Sequence, residues 1–181
     1  MKAIPADLRK KVQEIKLLLL DVDGVLTDGG IYIDDRGVES KRFDVRDGQG
    51  ITLLKRAGIK VGVISGRSSG AVRRRAAELG VKLLYQGVRD KSETYERIKT
   101  RTGLKDEQIA YMGDDIMDIP ILRAVGLAIT VPNGWPGVRP VVDYITEAKG
   151  GRGAVREVSE LIISTQNRRK LRSPNNNNES I

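Results

Sequence analysis

Apolar residues return along this chain in two alternating rhythms, one of helix and one of strand. Over residues 6–16 they fall at helical spacing, with Leu8, Val12 and Ile15 on one side, which predicts a short amphipathic helix. Residues 16–22 form an almost unbroken apolar run, as a strand covered on both faces requires. Ile31, Tyr32 and Ile33, the turn residues Asp34, Asp35, Arg36 and Gly37, and the segment 38–45 then predict a β-hairpin. Asp47 reads as the cap of a helix through Ile51, Leu53, Leu54 and Arg56, closed by Gly58. Beyond it the rhythms alternate: strand 60–65, helix 69–79, strand 82–85, helix 91–102, strand 108–112, helix 117–125 and strand 127–131. Gly80, Gly103 and Gly126 stop the three helices. A loop at 133–137, a short strand at Tyr144 and Ile145, and a helix over 154–165 complete the pattern. Strands separated by helices of this length imply right-handed crossovers and a parallel, three-layer α/β sandwich. The hairpin is an insertion in that plan, too small for a lid domain.

Length adds one domain over residues 1–166, with the hairpin at about 30–43. Residues 167–181, with Arg168, Arg169, Lys170, Arg172 and the run Asn175 to Asn178, read as a disordered basic tail. No apolar run approaches the roughly 20 residues that cross a bilayer. The first residues lack a secretory signal, so a cytoplasmic protein is expected. The chain has no cysteine, which excludes disulfides and thiolate sites, and no histidine, which removes the commonest general base and metal ligand. Acid–base chemistry must then rest on carboxylates, lysines or tyrosines, and a metal must be oxygen-bound, which favours Mg2+. The net charge of +8 raises nucleic acid as a partner, but much of it is local and aromatics are only 4% of residues. An anionic small substrate explains the basic surface equally well.

Two acidic clusters follow apolar strands: Asp21-Val22-Asp23-Gly24, after residues 17–20, and Gly113-Asp114-Asp115 with Asp118, after residues 109–112. One such cluster reads as an acidic loop; two in corresponding positions of a parallel sheet point to a divalent-cation site. Asp21 and Asp23 stand two apart, so one carboxylate could ligate a metal and attack while the other handles protons. Asp114, from another strand, could complete the ligand set. Ser65-Gly66-Arg67 could cradle an anion or could simply cap a helix. Lys91 opens a helix, where its charge opposes the macrodipole; it is either a surface lysine or one with an anion to meet.

In order and spacing these segments resemble the four signatures of the haloacid dehalogenase superfamily of phosphotransferases, whose fold is a Rossmann-like parallel sheet. The resemblance implies that Asp21 attacks phosphorus and Asp23 protonates the leaving alcohol and then activates water. Ser65, Gly66 and Lys91 would hold the phosphoryl group. Asp21, Asp114 and the main-chain carbonyl of Asp23 would bind Mg2+, with Asp115 and Asp118 supporting the metal and Lys91.

A closer resemblance rests on four segments: 21–29, Phe43-Asp44-Val45-Arg46-Asp47-Gly48, Ser65-Gly66-Arg67 and 150–157. Together they are similar to the 3-deoxy-D-manno-octulosonate 8-phosphate phosphatases, a family without a cap domain. That implies a sugar-acid phosphate substrate, a role in lipopolysaccharide biosynthesis, and a homotetramer in which hairpins help close shared active sites. Substrate contacts would fall on Asp23, Asp44, Val45, Arg46, Asp47, Gly48, Gly66, Arg67, Arg75 and Lys91. Arg152 would join them, on a glycine-rich segment 150–153 expected close to a neighbour's site. Asp44 and Thr52 stand where family members often have Asn and Arg. A nine-carbon keto-deoxy sugar acid 9-phosphate is therefore an alternative substrate, and a non-catalytic assembly module of the same fold an alternative role.

Overall fold

The computed structural model describes residues 4–172, with side chains as far as residue 167; the asparagine-rich segment of the expected tail lies outside the described residues. Helix α1 (Ala6–Glu14) leads into β1 (Leu17–Leu20), and the insertion contributes β2 (Tyr32–Ile33) and β3 (Glu39–Ser40). The chain continues as α2 (Val45–Arg56), β4 (Lys60–Ile64), α3 (Gly70–Glu78), β5 (Leu83–Tyr85), α4 (Lys91–Thr102) and β6 (Ile109–Met112). It ends with α5 (Ile119–Ala124), β7 (Leu127–Thr130), β8 (Tyr144–Ile145) and α6 (Ala154–Arg172).

Six strands form one sheet in the order β5-β4-β1-β6-β7-β8, every pair parallel. In β1 all four leucines are buried because the strand is paired on both edges and covered on both faces. Their side chains alternate. Leu18 and Leu20 pack with Val12, Ile51, Leu54, Val155 and Val158, while Leu17 and Leu19 pack with Tyr95 and Ile98 of α4 and Ile121 and Leu122 of α5.

Three expectations are corrected. Asp44, not Asp47, caps α2: its carboxylate accepts from the Arg46 N–H at 2.8 Å, and Asp47 lies inside the first turn. The returning hairpin strand is shorter than 38–45, because Val45 already opens α2. The last helix continues past Thr165 through Arg172, into the segment assigned to the tail. Among the described residues no helix is long and apolar enough to cross a membrane.

Candidate active site

β1 and β6 are neighbours, and the sheet order reverses at β1, which puts their C-terminal ends at the switch point where open α/β sheets bind ligands. Asp21 follows β1 with its N–H on the Met112 carbonyl at 2.9 Å. A wide turn over Val22–Leu26 follows, closed by the Thr27 N–H on the Val22 carbonyl at 3.0 Å. Within it Gly24 has φ +91°, and a Cβ there would stand 1.9 Å from Asp114 Oδ2. Only glycine accepts both that dihedral and that approach.

Lys91 is the first residue of α4, buried, and it turns its ammonium into the acidic cluster. Nζ lies 3.1 Å from Asp21 Oδ1 and 2.6 Å from Asp118 Oδ1. Burial opposes its charge, but the two carboxylates outweigh that and push its pKa above the ordinary lysine value. Asp118 is fully buried and also accepts from the Tyr111 hydroxyl at 2.5 Å and from the N–H groups of Asp114 and Asp115 at 2.9 and 3.1 Å. It therefore braces Lys91 and the loop after β6 together. The Asp115 carboxylate accepts instead from the Ile116 N–H at 2.7 Å, so Asp115 supports this loop as a cap rather than by touching Lys91.

Oxygens of Asp21, Asp114 and Asp118 converge within 4.8 Å of one another. Burial and the Asp21 charge push Asp114 up to about 8, and its buried Oδ1 has no hydrogen-bond partner. Burial raises Asp21 to about 6 despite Lys91. Since Asp118 is engaged four times over, Asp21 and Asp114 are the carboxyls whose mutual repulsion protons relieve and a hard divalent cation would relieve in their place. These residues fit Mg2+. The Asp23 carboxylate stands apart, ion-paired with Lys41 and 3.8 Å from the Arg67 guanidinium.

Ser65 directly follows β4, buried, and its hydroxyl accepts from the Arg67 N–H at 3.2 Å. Because α3 starts only at Gly70, Ser65 is not a helix cap. Arg67 is ion-paired with Glu39 of the hairpin.

The remaining substrate-side residues divide. Asp44 holds Arg46 by two hydrogen bonds, at 3.2 and 2.9 Å, and the same guanidinium donates to the Arg152 carbonyl at 2.8 Å. Arg152 pairs with Asp28 at 3.5 Å. Val45 is exposed. Asp47 is buried, and its carboxylate accepts from the N–H groups of Gly153 and Arg156 at 3.2 and 2.9 Å, so it caps α6. Arg75 packs over Gly48 and pairs with Glu78 at 2.9 Å; among the described residues no contact joins it to Asp21 or Lys91. The glycine-rich segment lies on the turn after β1 of the same chain, with the Gly151 N–H on the Val25 carbonyl at 2.9 Å. A Cβ at Gly150 would be 1.6 Å from the Gly24 carbonyl oxygen.

Residues 45–126 match the family model described as haloacid dehalogenase-like hydrolase. The 3-deoxy-D-manno-octulosonate 8-phosphate phosphatase of Escherichia coli K12 is 43% identical over 163 residues, 90% of this chain and 87% of its own. This chain belongs to that phosphatase family. The family's enzyme from Yersinia pestis superposes with a TM-score of 0.89 at 42% identity, covering 92% of this chain and 90% of its own. That from Moraxella catarrhalis, solved with magnesium, phosphate and the sugar acid, superposes at 0.88 with 44% identity over 91% of this chain and 95% of its own.

Within this family member the sequence pattern missed three residues that the fold brings in. Tyr111 is hidden in an apolar strand, where a tyrosine reads as core. Glu39 and Lys41 read as hairpin surface, yet their spacing of two on extended chain was a signal that they share a face.

Proposed function

We propose that this chain is a magnesium-dependent phosphatase that hydrolyses 3-deoxy-D-manno-octulosonate 8-phosphate in lipopolysaccharide biosynthesis. The observation that carries the reading is the convergence of Asp21, Asp114 and Lys91 at the switch point of the sheet, with Ser65 directly after the adjacent strand. Asp21 and Asp114, with the main-chain carbonyl of Asp23, hold Mg2+, which neutralises charge on the transferring phosphoryl group. Lys91, the Ser65 hydroxyl and the Gly66 N–H bind the phosphoryl oxygens and keep phosphorus in line with Asp21. An Asp21 oxygen attacks phosphorus, the bond to the sugar oxygen breaks, and Asp23 gives that oxygen its proton. Asp23 then takes a proton from water, whose oxygen attacks the aspartyl-phosphate; phosphate leaves and Asp21 is restored.

Arg67, Arg46 and Arg152 supply positive charge for the sugar acid. Asp44 does not act against that, because Arg46 neutralises it and holds it below the usual carboxylate range. The eight-carbon substrate is favoured over the nine-carbon one by the relatives, which are phosphatases of the eight-carbon sugar-acid phosphate. The intact set Asp21, Asp23, Ser65, Lys91, Asp114 and Asp118 favours catalysis over a purely structural role. The exposed hairpin residues Ile31, Tyr32, Ile33 and Val38 offer an assembly surface that suits a homotetramer. A cytoplasmic location belongs to this reading, and a chain without cysteine suits a reducing compartment.

The test is phosphate release with magnesium on the eight-carbon and nine-carbon sugar-acid phosphates, hexose phosphates and an aryl phosphate. Preference for the eight-carbon acid is the expected result. Preference for the nine-carbon acid moves the reading to that substrate, and no turnover of any ester overturns it.

A further inference from the structure

Among the described residues, Lys41 is the most deeply placed cation that the mechanism leaves without a task. It directly follows β3 on the return from the hairpin, yet its side chain is only 1% exposed. Burying an ammonium is costly unless carboxylates offset it, and two do. One is Asp23 Oδ1, in a direct ion pair, and the other is Glu39 Oε1 at 3.2 Å. Glu39 is itself fixed from the far side by the Arg67 guanidinium, whose Nε lies 3.8 Å from Asp23 Oδ2. The result is a closed ring of alternating charge, Asp23–Lys41–Glu39–Arg67, built from two residues of the hairpin's return and one residue from each of the turns after β1 and β4.

Charge-assisted bonds of this kind fix direction as well as distance. Asp23 is one-quarter exposed and stands in the wide turn after β1, where Lys41 makes the close ion pair to its carboxyl and Arg67 lies farther off at 3.8 Å, so Lys41 does most to hold it in one rotamer. Lys41 grips Oδ1, while Oδ2 has the Arg67 guanidinium at the longer distance of 3.8 Å. We infer that Lys41, steadied by Glu39, is a positioning residue for Asp23, so that each subunit's hairpin orients the proton-transfer group of its own active site. The inference rests on the phosphatase reading above, since it gives Asp23 that task. It makes the insertion part of the catalytic apparatus as well as a candidate assembly surface.

A double-mutant cycle on the full chain with saturating magnesium tests it, using Lys41→Met, Asp23→Asn and the pair, with the eight-carbon sugar-acid phosphate as substrate. Misplacing a general acid–base forfeits about 100-fold or more, so Lys41→Met lowers kcat by about that factor with KM within about threefold. In the Asp23→Asn background the same change costs less than about threefold, because the residue through which Lys41 acts is already disabled. Lys41→Arg, which keeps the charge, recovers kcat to within about tenfold of wild type. Should Lys41→Met fail to fold, Lys41→Gln, which keeps a hydrogen-bond donor in a similar shape, is read in the same cycle against the same expectations. A kcat within about threefold of wild type, or an undiminished loss on top of Asp23→Asn, overturns the inference. Wild-type protein that turns over no sugar-acid phosphate overturns the functional reading and this inference with it. Turnover by wild type with an additive cycle overturns this inference alone.

Discussion

Burial and the charges of Asp21, Asp118 and Asp115 raise the Asp114 carboxyl to about 8, while burial raises Asp21 to about 6. A carboxyl whose native pKa exceeds its unfolded value supports the native state while protonated. That support is complete below the ordinary value of 3.8 and is lost as pH rises through about 6 for Asp21 and about 8 for Asp114. Magnesium competes with those protons, so its stabilising effect must grow over the same window. The rise in Tm on adding saturating magnesium should be small at pH 5.5 and several degrees larger at pH 8.5, as read by thermal-shift titration. A shift independent of pH would remove Asp21 and Asp114 as ligands. On the proposed mechanism, Asp21→Asn should reduce turnover by at least about 1,000-fold while leaving Tm and solution mass near wild type, since it would remove the attacking oxygen and keep the shape. At this scale Asp21, Asp114 and Lys91 were legible in the sequence because a carboxylate after an apolar strand, or a lysine at a helix start, breaks a local preference. Tyr111 and Lys41 break none. Their roles come from residues 118 and 23, which only the fold brings near.

Asp44 and Asp47 show what the element scale adds. Both precede an apolar helical run and both suit a cap, so sequence alone does not rank them. The fold gives each a different helix: Asp44 caps α2, and Asp47 reaches across to the first N–H groups of α6. Since α6 begins directly after the glycine segment lying on the turn after β1, the Asp47 contact locks that segment too. Asp47→Ala should cost about 1–2 kcal/mol, the usual loss for a helix cap, seen as a lower urea midpoint at unchanged m. Activity should fall alongside. An unchanged midpoint would deny Asp47 the anchoring role. The strand and helix alternation itself was legible throughout, because β1 and β6 are apolar on both faces and the helices end at glycines. Element ends were less so. The hairpin ladder is only two residues long on each side, and no periodicity resolves a ladder that short.

For the whole molecule, the exposed Ile31, Tyr32, Ile33 and Val38 are too concentrated to be incidental on one small insertion. Replacing Ile33 with Asp should lower the solution mass toward the monomer, measured by light scattering after size exclusion, with the far-UV dichroism preserved. A wild-type mass already at the monomer would defeat the shared-site model. The parallel α/β architecture was readable from element order alone. The position of β1 between β4 and β6 was implied only by where the acidic residues had to meet. That central position also governs how the protein comes into being. β1 emerges from the ribosome early, but its two ladder partners begin at Lys60 and Ile109, so an all-leucine strand waits with open edges. Synthesis from Leu20 to Met112 adds about 90 residues, which at about 5–20 residues per second is roughly 5 to 20 s of exposure. Throughout that interval the nascent chain carries the sticky centre of its future sheet without the strand that shields it, which makes it a natural client for chaperones at the exit tunnel.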